Sequence, residues 1–182
     1  MEEIITIINN LIAEHKVIIK DARSLEQVAN DASALVELEE AKDTFVPGRF
    51  DQKQSLQKLQ EALAAIDQGL QEHFNREETG LLAAFEKHGD TKLVTALNSL
   101  LLEHNDLRNR LAHAREHVAE LVSGGLGRHQ WEASANDMRA HLSHTRKLLE
   151  AHADIENELF VELRRHLKSQ KIERKRNNGK SG

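Results

Sequence analysis

The chain has 182 residues, a formal charge of −5, one proline, nine glycines and neither cysteine nor tyrosine. That composition excludes disulfides, thiolate ligands, iron–sulfur ligation by this chain, thiol catalysis and a tyrosyl radical, so any bound metal must use His, Asp or Glu. The length buries one core without staples, and few breakers among many Leu, Ala, Glu, Gln, Lys and Arg predict a single all-α domain.

Glu2 and Glu3 stand where a secretory leader carries positive charge, and the apolar stretch at 4–13 is interrupted by Thr6, Asn9 and Asn10. A soluble, cytoplasmic protein is expected, with no membrane association. From Ile4 the apolar positions recur at steps of four and three: Ile4, Ile8, Leu11, Ile18, Ala22, Leu25, Ala29, Ala32 and Val36, with His15 the one polar residue in phase. This is the buried stripe of a bundle helix, with room for a kink at Asn30, Asp31 and Ser33. Pro47-Gly48 is the first strong break.

A second stripe follows through Leu56, Leu59, Leu63, Ile66, Leu70, His73, Glu77, Leu81 and Ala84, and Gly89-Asp90 ends it. The third reads Leu93, Leu97, Leu100, His104, Leu107, Leu111, Ala114, Val118 and Leu121, closed by Gly124-Gly125-Leu126-Gly127. The last reads Trp131, Ala135, Met138, Leu142, Thr145, Leu149, His152, Glu156, Leu159 and Leu163, and dissolves after about Lys168. Four amphipathic segments joined by short turns predict an up-down-up-down four-helix bundle over 1–168. Residues 169–182 are expected as a basic, flexible tail. Its six Lys/Arg, counted from Lys168, could meet an acidic partner, but without an aromatic residue for base stacking no nucleic-acid role is expected.

In such a bundle, residues on consecutive helices share a level when the turn lies midway between them. The midpoints of His15 with His73, His73 with His104, and His104 with His152 fall within about three residues of the three turns. At 1.5 Å per residue this allows a vertical mismatch on the order of 9 Å, which tilt can absorb. The predicted core therefore carries His15, His73, Glu77, His104, His152 and Glu156 at one level. Each His-x-x-x-Glu pair aims an imidazole and a carboxylate from one helix face. Two buried carboxylates with no Lys or Arg in the stripe call for a cation, and this donor set suits iron, zinc or manganese. His113, His117, His88, His129, His141, His144 and His166 read as solvated positions, His166 least clearly because it is in phase with the last stripe.

The set His15, His73-x-x-x-Glu77, His104 and His152-x-x-x-Glu156 resembles the hemerythrin-like proteins, also called HHE cation-binding domains, across about residues 4–167. The resemblance implies a bundle around two non-haem iron ions, oxo- or hydroxo-bridged, with the four histidines as terminal ligands and Glu77 and Glu156 as bridges. It also implies binding of O2 or a related diatomic for sensing, storage or delivery. The chain departs from the oxygen carriers at Arg108, where they hold a second histidine one turn after the third-helix ligand, and in having Glu156 as last carboxylate. The symmetric set looks closer to the bacterial iron–sulfur-repair branch and related stand-alone HHE proteins, although this cysteine-free sequence does not include the cysteine-containing module of many repair proteins. Reaction with peroxide or nitric oxide, cluster repair, and a structural zinc or manganese bundle stay open as alternatives. Whether the chain is an enzyme is left undecided.

Overall fold

The computed structural model describes residues 2–40, 50–123 and 125–178, with side chains described at 2–30, 56–123 and 125–172. Pro47-Gly48 and Gly124 lie outside the described residues, as do the side chains of Ala32, Val36, Arg174, Lys175 and Arg176 and the whole of Lys180. Helix α1 spans Glu2–Glu40, α2 Phe50–Arg76, α3 Leu82–His88, α4 Thr91–Leu101, α5 Glu103–Ser123 and α6 Arg128–Asn178. The chain is all-α and forms a four-helix bundle. Its four helical runs are α1, α2 continued into α3, α4 continued into α5, and α6, in step with the four stripes.

Two of those runs are interrupted. Between α2 and α3, residues Glu77–Leu81 form a π-turn in which the Leu82 N–H donates to the Glu77 carbonyl. The Thr79 hydroxyl donates to the Asn75 carbonyl at 2.7 Å, offering the backbone acceptor a local alternative to the helical ladder. Between α4 and α5, Leu102 keeps helical φ and ψ but leaves the regular ladder, with its side chain 72 % exposed. Both interruptions adjoin residues singled out above, Glu77 and His104, and π-turns recur at functional sites.

The Gly89-Asp90 turn is built from two separate requirements. A Cβ at Gly89 would stand 2.7 Å from the Phe85 carbonyl oxygen, to which the Gly89 N–H donates. Asp90 then caps α4, its carboxylate accepting from the Leu93 N–H at 2.9 Å. In the turn before α6, Gly125 has φ +92°, the left-handed region that glycine enters without a Cβ penalty.

Packing divides the chain into two compact units. The first comprises residues 1–16, 72–105 and 151–182. Its apolar core is made by Ile8, Leu11, Leu81, Phe85, Leu97, Phe160, Leu163 and Leu167, with Leu93 at its edge. Leu159, expected in the stripe, is only half-buried, and the buried register of α6 runs from Glu156 to Phe160, Leu163 and Leu167. Steps of four, three and four follow the α-helical period, and the branched alternative at 159 lies about 100° off that face. The segment 169–178 continues α6, and Lys171 reaches the Glu2 carboxylate at 3.2 Å.

The second unit comprises residues 17–71 and 106–150. Leucines 59, 63, 111 and 121 with Ala114, Val118, Met138 and Leu142 fill its interior. Arg146 joins Glu26 and Glu150, and Arg23 also donates to Glu150 at 2.7 Å, so a chain of charges ties α1 to α6 in this unit. Among the described residues, no helix is long and apolar enough to cross a membrane.

Candidate metal centre

All six candidate ligands fall in the first unit. Among the described residues the buried polar side chains are those six and Thr145 of the second unit. Thr145 satisfies itself by donating to the His141 carbonyl at 2.9 Å. The six instead point at one another. Glu77 and Glu156 are both 0 % exposed, which for an unpaired carboxylate costs several kcal/mol.

Their donor atoms form two overlapping groups. His15, His73, Glu77 and Glu156 bring one ligand atom each within 4.8 Å of one another, and Glu77, His104, His152 and Glu156 do the same. Glu77 spans the two: its Oε1 lies 3.0 Å from His73 Nε2 and 3.4 Å from His15 Nε2, while its Oε2 lies 3.4 Å from His104 Nε2. Glu156 Oε2 stands 3.2 Å from His15 Nε2 and 3.5 Å from His152 Nε2. The Nε2 atoms of His104 and His152 converge to 3.0 Å.

The His–Glu approaches are close without being hydrogen bonds, whereas the two facing Nε2 atoms of His104 and His152 share one. Both oxygens of Glu77, both of Glu156 and His15 Nε2 are buried and have no hydrogen-bond partner. Five orphaned donor atoms in one place are not tolerated by a satisfied core. Cations with imidazole and carboxylate preference fit them, since together they would satisfy these atoms.

Each imidazole is held from behind. His73 Nδ1 lies 2.8 Å from Glu14 Oε2, His104 Nδ1 2.8 Å from Glu78 Oε1, His152 Nδ1 3.0 Å from Glu103 Oε2, and His15 Nδ1 3.1 Å from Asn157 Oδ1. In a neutral ring, an Nδ1–H that donates outward leaves the Nε2 lone pair facing the cage, which is the tautomer a metal ligand requires. Arg76 also donates to Glu14 Oε2, at 2.9 Å. The partners run in a circle: α1 braces the histidine of α2, the π-turn that of α5, α5 that of α6, and α6 that of α1.

Two phenyl rings wall the imidazoles. Phe74 stacks on His104 with ring centres 4.0 Å apart, and Phe160 lies nearly parallel to His15 at 5.8 Å.

Burial and proximity also shift the proton affinities of these groups. Burial disfavours a charged His15, but the Glu156 and Glu77 carboxylates overcome this and push it up to about 10. Burial likewise opposes ionisation of Glu77, yet His15 and His73 hold it down to about 2. Glu156 is pushed up by burial, and Glu77's negative charge adds to the effect. Burial lowers His104, against the pull of its bond to Glu78. The His15 imidazole and the two carboxylates thus shift one another in the direction that favours positive charge among them.

The model of the hemerythrin HHE cation-binding domain matches residues 6–163. The chain belongs to this family. No curated protein and no solved structure matches it. As a hemerythrin-family domain it has a cation-binding fold, and the six buried residues form its potential metal site.

The remaining histidines of this hemerythrin-family domain do not join the cage. His113 and His129 are exposed beside Glu116 and Glu132, His144 is exposed, and His88 and His166 are half-buried. In the second unit His141 Nε2 lies 2.9 Å from the Arg110 carbonyl oxygen, with the His117 ring 5.9 Å away. Arg108, at the position where the carriers hold a further histidine, donates to Gln71 Oε1 at 2.9 Å within the second unit. Sequence reasoning missed the four braces Glu14, Glu78, Glu103 and Asn157. A signal existed: each is the immediate sequence neighbour of a candidate ligand.

Proposed function

We propose that this hemerythrin-family domain is a non-haem di-iron protein that binds O2 or a related small diatomic for sensing, storage or delivery. The observation that carries the reading is the pair of overlapping donor groups that share Glu77 and Glu156 while each owns two imidazoles. Sharing is what two adjacent ions need and a single tetrahedral zinc does not. His15 and His73 would hold one ion, His104 and His152 the other, and the two glutamates would bridge. Iron bound there supplies redox chemistry and coordination positions open to a small ligand.

The chain's own residues do the rest. Glu14, Glu78, Glu103 and Asn157 fix the imidazole tautomers and ring orientations. Phe74 and Phe160 cover the faces of the His104 and His15 imidazoles with apolar surface. On loading, His15 must give up the proton on Nε2, because only the unprotonated nitrogen donates to a metal.

A second reading, consumption of peroxide or nitric oxide or a role in cluster repair, is favoured by Arg108. That side chain is engaged with Gln71, so the third helical run offers His104 as its one inward imidazole in the first unit. Fewer protein ligands leave more positions for reaction.

Metal analysis of the purified protein decides between iron and the alternatives, with about two irons per chain expected. One zinc with no iron would overturn the proposal. Mixing the reduced protein with O2 then separates the two readings. A stable spectrum that reverses on removing O2 supports binding, whereas immediate irreversible oxidation or sustained peroxide turnover supports reaction.

A further inference from the structure

The two donor groups share the same carboxylates, so any difference between them must come from their imidazoles and from what stands behind those imidazoles. His104 and His152 are both braced by carboxylates, Glu78 at 2.8 Å and Glu103 at 3.0 Å. His73 is braced by Glu14 at 2.8 Å, but His15 faces the side-chain amide oxygen of Asn157 at 3.1 Å. A carboxylate accepts a charge-assisted hydrogen bond and pushes electron density onto the imidazole, making Nε2 a stronger donor. A neutral amide orients the ring without comparable polarisation.

Resting on the two-metal reading above, we infer that the two positions are inequivalent: the His104/His152 position takes the first divalent cation and the His15/His73 position takes the second, more weakly. Asn157 is the positioning residue that sets the difference. Its amide is nearly isosteric with an aspartate, and its neighbour Glu156 supplies the shared carboxylate, so exchanging one atom at 157 changes the polarisation of His15 while the backbone and the cage stay in place.

The test is an anaerobic titration of the full-length apoprotein with Fe(II), followed by calorimetry and by Mössbauer spectra in which the first equivalent is 57Fe and the second is not. The wild type is expected to bind in two resolved steps about tenfold or more apart, with the first equivalent giving one dominant quadrupole doublet; loss of an outer partner typically changes metal affinity about 10–100-fold. Asn157→Asp should strengthen the second step about tenfold, leave the first unchanged and spread the first 57Fe equivalent over two doublets. Glu103→Gln gives an independent arm: it should weaken the first step and draw the two together. Two irons taken up in one unresolved step, with both variants identical to wild type, would overturn the inequivalence while leaving the two-metal reading intact. A protein that saturates at one iron would overturn that reading itself.

Discussion

At the scale of single residues, the site separates into atoms that face the cage and atoms that hold them there. His104→Ala is expected to lose bound iron, because it deletes a 0 % exposed donor and leaves Glu78 with no imidazole to accept from. His113→Ala, on an exposed surface beside Glu116, should retain iron. Equal loss in both variants, read as iron per chain after gel filtration, would show that the cage has been drawn from the wrong residues. The His15 proton makes a second prediction. Its folded-state value, pushed up to about 10 from the ordinary 6.5, contributes stability to the metal-free fold that is fully present below 6.5 and lost as pH rises through about 10. Melting temperatures of the apoprotein should therefore fall between pH 6.5 and 10, while iron affinity climbs over the same range as the competing proton leaves. His15→Ala should flatten the apoprotein's dependence; an unchanged slope in that variant would refute the assignment.

At the scale of elements, the turn before α4 and the interruptions in two helical runs decide where the donors fall. Gly89→Ala forces a methyl to 2.7 Å from the Phe85 carbonyl oxygen and should cost about 1–3 kcal/mol, measured by urea unfolding. Asp90→Ala removes the α4 cap and should cost roughly 1 kcal/mol. Equal stability of Gly89→Ala and wild type would mean the turn relaxes freely. The stripes that predicted four helices were legible because burial leaves a 3.6-residue imprint, and polar residues in phase stood out against it. The π-turn at Glu77–Leu81 and the break at Leu102 left no such imprint. Both are local adjustments of the hydrogen-bond ladder, made by residues that continue to look helical. The register of α6 slipped for a related reason. Leu159 and Phe160 are both apolar neighbours, and only packing chooses Phe160 for the interior.

At the scale of the whole molecule, the cage is a source of stability that depends on its occupant. A cation that binds the fold and not the unfolded chain adds about 2.7 kcal/mol at a hundred times its dissociation constant, about 5–11 °C in melting temperature for a domain of this size. Removing metal with a chelator should lower the melting temperature by that order, and restoring Fe(II) should recover it; identical melting curves with and without metal would argue against a cation in this cage. The six inward residues could be found in the sequence because each interrupts an apolar stripe. Glu14, Glu78, Glu103 and Asn157 left only a weak trace, their adjacency to a candidate ligand, because acids and amides beside a stripe are ordinary on any solvated helix and their partners lie elsewhere in the chain. The circle those four residues close has a consequence for how the sequence can drift. Every helical run supplies both a donor and the brace for another run's donor, across separations of 59, 26, 49 and 142 residues. A change at position 14, 78, 103 or 157 is therefore felt at 73, 104, 152 or 15. Natural variants of this domain should exchange these residues in pairs, with a loss at the histidine releasing its distant brace to become any surface residue.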